Sequence, residues 1–288
     1  MSVWSFVFGL AIGSFLNVLA CRYDPEKFLL NKESLGGRSA CPKCGNKLKW
    51  FELIPLLSFI ILRARCRNCQ SRISFEYPLV EISSALIFTL VPWGLSRLPF
   101  FNFFGLSTSY WLLTASYILV LETLLLITLI DVRLKLIPDE LNIFLVCLGF
   151  IIGFFSRIHF DYVNGSFVGS YAAIFGLRGN VWINHIVASI VAAVFFGFII
   201  FITRGKGMGM GDLKLIAALG LVFGWPDIIM IAALSFIVGS IFSLPALVFR
   251  KKHLKSFIPF GPFIATAAAI VFFFGEDLMH LYFSLFRG

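Results

Sequence analysis

Charged residues are scarce in this chain of 288 residues: they make up 14% of it, whereas a soluble domain carries about 25%. Hydrophobic residues make up 59%, and 35 residues are phenylalanine. Apolar runs close to the roughly 20 residues that a bilayer-crossing helix needs recur along the whole sequence. The shortage of charge therefore argues against a soluble domain and predicts an all-α polytopic membrane protein.

Basic residues are also missing ahead of the first apolar run, Val3 to Ala20. A secretory signal peptide begins with a basic segment, so this run is predicted to be a membrane span. We expect three parts: a first transmembrane helix (1–21), a polar domain (22–77) and a transmembrane core (78–288). The eight predicted spans are residues 2–21, 78–97, 109–130, 141–156, 181–203, 213–225, 227–248 and 258–275.

The basic residues are unevenly distributed between the loops that join these spans. If the N-terminus lies outside, 20 of the 24 Lys and Arg fall in the four inner segments 22–77, 131–140, 204–214 and 249–257. This arrangement obeys the positive-inside rule and places both termini outside the membrane. The net charge of +9 then matches an anionic lipid leaflet, so the expected partner is the bilayer and not a nucleic acid.

The polar segment 22–77 contains two CxxC pairs separated by 21 residues; their members are Cys41, Cys44, Cys66 and Cys69. This spacing is typical of a four-thiolate zinc site. Two disulfides are the alternative, but thiols stay reduced in the cytoplasm, where this segment is predicted to lie. Four protein ligands leave no open position on the metal, so we expect a structural zinc ion that stabilises a small domain.

Two acidic stretches lie at predicted span ends. In DVRLKLIPDELN (131–142), Asp131 follows the third span, where a helix dipole disfavours a negative charge. Asp139 precedes the fourth span, and a helix N-cap is its simplest interpretation. An unfavourable placement gives some support, although weak, for a functional role. Asp131 is therefore a better candidate for a catalytic residue than Asp139.

In GMGMGDLK (207–214), three alternating glycines precede Asp212 at the start of the sixth span. We expect Gly207, Gly209 and Gly211 to adopt positive φ and to let a peptide approach the backbone closely. A cap or first-turn acid is the alternative role for Asp212. The spacing does not match a dinucleotide fingerprint.

Counting the spans brings Asp131 and Asp212 to the same edge of the membrane, although they are 81 residues apart in sequence. Two carboxylates in a partly desolvated site do not both ionise easily, and such a pair can activate a water molecule between them. The sequence therefore predicts hydrolysis of a peptide bond by an aspartate dyad.

With these motifs in hand, the chain resembles the type IV prepilin peptidases, which are prepilin leader peptidases and N-methyltransferases of the GxGD type. The matching stretches are GSFLNV (13–18), the two CxxC pairs, FELIPLLSF (51–59), RISFEYPLVE (72–81), DVRLKLIPDELN (131–142) and GMGMGDLKL (207–215). They occur in the order that the family shows and cover most of the first 220 residues.

The resemblance implies a bacterial inner-membrane enzyme of type IV pilus and type II secretion systems. It would cleave the basic leader from prepilins or pseudopilins at the cytoplasmic face. It would then methylate the new N-terminal residue with S-adenosylmethionine. In such enzymes the catalytic dyad corresponds to Asp131 and Asp212, with Gly209, Gly211 and Asp139 supporting the motifs. The N-terminal region, which includes the cysteines, is associated with methyl transfer.

Glu81, near the start of the second span, is a candidate for contact with the substrate N-terminus or for a role in methyl transfer. The alternative is a buried charge paired with Arg72 or Arg22. For the whole chain, a proton-coupled transporter that uses the same intramembrane carboxylates is the alternative function. A non-catalytic assembly factor, with zinc organising a docking surface, is a third.

Overall fold

A computed structural model describes residues 3–29, 31, 36–97, 108–159, 166–172, 180–249 and 258–285. The described residues are mainly helical and contain only two isolated β-bridges, Ala40 to Lys47 and Arg65 to Arg72. This confirms the predicted all-α class. The chain divides into two compact units, 1–92 and 93–288.

The first unit contains two long helices with a polar segment between them. Helix α1 spans Val3–Arg22, the 3-10 helix η1 spans Trp50–Leu53 and α2 spans Leu57–Ile61. Helix α3 spans Glu76–Arg97, and its last five residues fall past the end of this unit. Two glycines on α1 let the backbones of α1 and α3 approach closely. A Cβ on Gly9 would lie 2.6 Å from the Cα of Ala85, and one on Gly13 would lie 2.8 Å from the Cα of Glu81. This GxxxG pattern is typical of packed membrane helices.

In its described residues, the second unit is a bundle of six longer helices with one short 3-10 helix. They are α4 (Thr108–Leu134), α5 (Asp139–His159), η2 (Gly169–Tyr171), α6 (Val181–Thr203), α7 (Met210–Phe223), α8 (Asp227–Phe249) and α9 (Gly261–Leu285). Helix α7 is only 14 residues long and is largely buried, and it contacts α5, α6, α8 and α9. Helix α9 also packs on α4 and α8. The bundle is therefore built around its shortest helix.

Glycines set the distance between α7 and its neighbours. A Cβ on Gly220 would lie 2.5 Å from the Cα of Ser189 in α6. On the other side of α7, a Cβ on Gly149 of α5 would lie 3.0 Å from the carbonyl carbon of Leu221. These close approaches fix the position of α7 between α5 and α6, near the C-terminal end of the helix.

A buried carboxylate connects two parts of the bundle just after the C-terminal end of α7. Asp227, at the start of α8, is fully buried. Its carboxylate accepts hydrogen bonds from the Ser166 hydroxyl at 2.7 Å and from the backbone amides of Phe167 and Val168 at 3.1 Å each. A buried charge that is fully hydrogen-bonded is a structural connection, here between α8 and the segment 166–168.

Each of the eight predicted spans coincides with a helix. Among the described residues, six helices are long and apolar enough to cross a membrane: α1, α3, α4, α5, α6 and α9. Helix α8 contributes a shorter apolar stretch, Asp227–Ser243, and α7 is shorter still, so crossing by these two stays a prediction. The last helix was predicted to end at residue 275, but it continues to Leu285. Polar residues after Gly275 end the apolar run without breaking the helix, since none of them is proline.

The close approach at Gly220 predicts a difference between two otherwise similar substitutions. Gly220→Ala should lower the thermal unfolding temperature of the detergent-solubilised protein, because the new methyl group would collide with the α6 backbone at a cost of about 1–3 kcal/mol. Gly197→Ala on α6 is the matched control, since its Cβ would meet only a Leu213 methyl at 3.5 Å. There the higher helix propensity of alanine, about 1 kcal/mol, should leave stability equal or higher. A Gly220→Ala protein as stable as the control would contradict this packing.

Candidate functional site

Asp131 lies in the last turn of α4 and is buried, with 4% of its surface exposed. Its Oδ2 accepts a hydrogen bond of 3.0 Å from the backbone amide of Gly261. Because Gly261 is the first residue of α9, the carboxylate lies at the positive end of that helix dipole. The unfavourable position of Asp131 at the C-terminus of its own helix is thus offset by the N-terminus of another.

Asp212 is the third residue of α7 and is 9% exposed. Its Oδ2 accepts a hydrogen bond of 3.0 Å from the backbone amide of Gly209, the N-cap residue. This is the first-turn position that the sequence allowed as an alternative. Asp131 and Asp212 therefore share one arrangement, a buried carboxylate held by an amide at a helix N-terminus.

The two aspartates are brought together around Ile137. A Cβ on Gly211 would lie 3.2 Å from the Cβ of Ile137, and one on Gly261 would lie 3.3 Å from the Cδ1 of the same residue. Gly211 immediately precedes Asp212, and Gly261 is the hydrogen-bond donor to Asp131. Asp131 is also close enough to Asp212 to act on it electrostatically. Both acids therefore lie next to glycines that pack on Ile137, and their action as a catalytic pair stays a prediction.

The expected positive φ in the glycine motif is wrong. Gly207, Gly209 and Gly211 all lie outside the left-handed region. The left-handed residues are Arg204, with φ of 49°, and Gly205, with φ of 72°, which end α6. The chain therefore reverses at the C-cap of α6, before the motif begins. The later glycines contribute close packing, as Gly207 does against Thr203 and Gly211 against Ile137.

Asp139 does not join the buried pair. It is the first residue of α5, and its side chain is 64% exposed. Both of its carboxylate oxygens accept from Nζ of Lys214, at 2.7 and 2.8 Å. This ion pair connects the start of α5 to α7, and an exposed pair of this kind contributes at most about 1 kcal/mol.

Asn142 is a buried polar residue that the sequence did not single out. It lies one turn after Asp139, which is bound to α7, and two turns before Gly149, which packs on α7. It is therefore on the α7-facing side of α5, near the level of Lys214. Among the described residues, neither its side-chain oxygen nor its side-chain nitrogen has a hydrogen-bond partner. Leaving such a group unpaired costs about 1–3 kcal/mol. In the sequence, the only indication of this residue was its position, three residues after Asp139 in the DVRLKLIPDELN motif.

The four cysteines of the CxxC pairs form a cluster in the first unit. Their sulfur atoms all lie within 4.8 Å of one another, and Sγ of Cys41 lies 3.8 Å from Sγ of Cys69. In a tetrahedron with metal–sulfur bonds of about 2.3 Å, the sulfurs are roughly 3.8 Å apart. None of the six cysteines, all of which lie in the described part of the chain, forms a disulfide, and Cys21 and Cys147 lie outside the cluster. The cluster thus fits a four-coordinate metal ion.

Each CxxC pair lies in a turn of the same form. The amide of Cys41 donates to the carbonyl of Asn46 at 3.0 Å, and the amide of Cys66 donates to that of Ser71 at 2.8 Å. The residue after the second cysteine is left-handed in both turns, with φ of 68° at Gly45 and 55° at Gln70. Backbone amides at Cys44 and Lys43 lower the pKa of the Cys41 thiol to about 6. Thiolate is the form that binds a metal.

Glu81, on α3, is 6% exposed and lies in the first unit with the cysteine cluster. Its Oε2 accepts a hydrogen bond of 2.9 Å from the backbone amide of Leu56, and the Ser14 side chain lies near this carboxylate. Leu56 has φ of 57° and ψ of −48°, and the amide of Leu57 donates to the carbonyl of Pro55 at 2.5 Å. This is a strained γ-turn, which the Glu81 carboxylate anchors to α3.

The fold and these two sites define a polytopic helical membrane protein that carries a four-thiolate module and, separately, a buried pair of aspartates. Residues 7–95 match the Bacterial Peptidase A24 N-terminal domain, and residues 117–244 match the Type IV leader peptidase family. The chain belongs to the type IV leader peptidase family.

Its curated relatives carry the name "Prepilin leader peptidase/N-methyltransferase". The chain is 31% identical to the Aeromonas salmonicida protein, over 97% of this chain and 92% of that one. It is 32% identical to the Pseudomonas aeruginosa protein (95% and 90%) and 26% identical to the Bacillus subtilis protein (98% of each). No solved structure matches the chain. The family and the apolar helices together indicate a multi-pass inner-membrane protein.

The cysteine cluster predicts one tightly bound metal ion per chain. Cys66→Ser should abolish stoichiometric metal in the purified protein, as measured by inductively coupled plasma mass spectrometry, because three thiolates cannot complete the site. Cys147→Ser, which removes a thiol outside the cluster, is the control and should leave the metal content unchanged. Full metal retention by the Cys66→Ser protein would contradict the site.

Proposed function

We propose that this protein is an endopeptidase that removes the basic leader of type IV prepilins or pseudopilins and then methylates the new N-terminal residue. The observation that carries the cleavage assignment is the buried pair Asp131 and Asp212, each held by one helix N-terminal amide. The names of the relatives, and the family match over the segment that contains both aspartates, support the substrate class.

In this proposal the two carboxylates share one proton and bind one water molecule. The ionised carboxylate accepts a proton from the water molecule while the water oxygen attacks the scissile carbonyl carbon. The protonated carboxyl group donates its proton to the carbonyl oxygen. When the C–N bond breaks, the carboxyl group that took the proton from water gives it to the leaving amine. The other carboxylate takes back a proton from a hydroxyl of the tetrahedral intermediate, so the pair again holds one proton. The amides of Gly261 and Gly209 bind Oδ2 of each aspartate. We assign the Oδ1 atoms to the water.

Asn142 is proposed to bind the main chain of the substrate. Its side chain offers one acceptor and two donor positions, which is the set that an extended peptide requires. It lies on the α7-facing side of α5, and among the described residues its amide has no partner within the protein. An unpaired buried polar group requires an explanation, and binding of the substrate main chain is the one proposed here. Asp139 and Lys214 support the site by joining α5 to α7.

Methyl transfer is assigned to the N-terminal part of the chain, with S-adenosylmethionine as the methyl donor. We propose that the metal is Zn²⁺ held by Cys41, Cys44, Cys66 and Cys69, and that its role is structural because four thiolates fill the coordination shell. Glu81 is the candidate to contact the cationic amine of the new N-terminus, in addition to anchoring the Leu56 turn. The proposed parts are the first span (1–21), the zinc-binding domain (22–77) and the peptidase core (78–288).

The proposed orientation has both termini outside and the zinc-binding domain and the aspartate pair at the cytoplasmic face. A prepilin helix in the bilayer would then present its cleavage site at the depth of the pair, which raises the effective concentration of the scissile bond. Pilus assembly and type II secretion are the systems proposed for it. The names of the relatives do not favour a transporter.

The dyad is tested by amide substitutions at three aspartates. Asp131→Asn and Asp212→Asn should each slow prepilin cleavage by at least about 10²–10⁴-fold, because a proton donor or acceptor is lost from the reacting pair. Asp139→Asn is the control and should retain most of the activity, since its carboxylate is exposed and bound to Lys214. The measurement is mass spectrometry of the product from purified enzyme and prepilin. An intact Asp131→Asn enzyme and an inactive Asp139→Asn enzyme would show that the dyad is wrongly assigned.

Asn142→Leu should make the protein more stable and less active. Removing an unpaired buried amide should raise the unfolding free energy by about 1–3 kcal/mol, since leucine has a similar size and no polar atom to satisfy. Cleavage should fall, mainly through a higher KM for the prepilin. Unfolding curves and steady-state kinetics on the same preparation test both parts. A variant that is less stable and cleaves normally would assign Asn142 a purely structural role.

A further inference from the structure

The segment Trp50–Ile61, which comprises η1, Ile54 to Leu56 and α2, exposes an unusual amount of apolar surface. Seven of its large apolar side chains are exposed: Trp50, Phe51, Leu53, Ile54, Leu57, Ile60 and Ile61. Trp50 is 77% exposed, and Ile60 and Ile61 are 69% and 70% exposed. An exposed apolar patch of this kind marks an interaction surface.

Basic side chains flank this apolar segment on both sides, and all of them are exposed: Lys47, Lys49, Arg63, Arg65 and Arg67. Glu52 is the only acidic residue between positions 47 and 67, and its carboxylate accepts from the backbone amide of Lys49 at 2.7 Å. The guanidinium of Arg67 lies 5.6 Å from the centre of the Phe51 ring. Apolar and aromatic side chains beside a cluster of cations are typical of segments that lie in the surface of an anionic bilayer.

The anchor on α3 places the segment at a suitable depth. Leu56, between η1 and α2, donates its amide to Glu81 at 2.9 Å. Glu81 is five residues after the start of α3 at Glu76, or about 7.5 Å along the helix axis. Since α3 is one of the apolar helices long enough to cross a membrane, the segment lies beside the first two turns of a span. A membrane span begins near the boundary between headgroups and acyl chains, so the segment is expected at that boundary.

We propose that Trp50–Ile61 is an in-plane membrane anchor, whose apolar side chains insert into the cytoplasmic leaflet while the flanking Lys and Arg bind anionic phospholipid headgroups. The positive charge of the flanking residues favours an anionic lipid surface over a second copy of the chain or the substrate leader. A second copy of the chain would bring the same cations against themselves, and the leader of the proposed substrate is also basic. An anionic lipid surface complements both the apolar and the charged parts.

The test uses Trp50 as its own probe in the full-length protein reconstituted in nanodiscs of phosphatidylcholine and phosphatidylglycerol. The fluorescence of Trp50 is the difference between the wild type and Trp50→Phe, which keeps an aromatic ring at the position and leaves the other five tryptophans. Lipids brominated near the carboxyl end of the acyl chains should remove most of the Trp50 emission. Aqueous iodide should have little effect on it.

Two charge-adding variants form the matched comparison. Ile60→Glu should reduce the quenching of Trp50 by brominated lipid at least twofold, whereas Gln70→Glu, at an exposed position in the second cysteine turn, should leave it unchanged. The bound metal should be equal in both proteins, which verifies that the domain is folded.

Replacing Lys49, Arg63 and Arg65 with Gln should remove the dependence of quenching on phosphatidylglycerol. Trp50 emission that iodide quenches and brominated lipid does not would overturn the proposal, as would emission that responds only to added prepilin.

Discussion

A buried carboxylate needs a hydrogen-bond donor, and in the second unit each of the two central aspartates obtains one from the first turn of a helix. Asp131 takes the amide of Gly261, and Asp212 takes the amide of Gly209. These two bonds determine where α9 and α7 must begin. They also explain how Asp131, which lies at the disfavoured end of α4, is tolerated inside a membrane protein. The geometry of the proposed active site depends on this pair of contacts.

The packing of the short helix α7 fixes the position of Asp212. The helix is packed between α5 and α6 through backbone approaches at Gly149 and Gly220, so it has little freedom to slide or rotate. Asp212, at its third residue, is consequently held in place by the interior of the bundle. A dyad requires two carboxylates at a constant separation, and close packing on both sides of one helix supplies that constraint.

Much of this arrangement could be predicted from the sequence, because it depends on long apolar runs and on fixed spacings. Span counting placed Asp131 and Asp212 at one depth, and the CxxC spacing identified a cluster whose sulfur separations now fit a metal. The sequence did not predict the tertiary contacts. No local pattern indicates that Gly261, 130 residues after Asp131, would donate the hydrogen bond. The composition of the glycine motif indicated positive φ, but close packing against Ile137 is the reason for a glycine at position 211. Asn142 was missed because burial, and not residue type, makes it unusual.

The central claim is that Asp131 and Asp212 act in a single chemical step. The most direct measurement compares the prepilin cleavage rates of the two single Asn variants with that of the protein carrying both substitutions. If the carboxylates share one proton and one water molecule, the double variant should be no slower than the slower of the two single variants, because either loss already disables the shared step. A double variant whose rate loss equals the product of the two single losses would show that the aspartates act independently, and it would contradict the account.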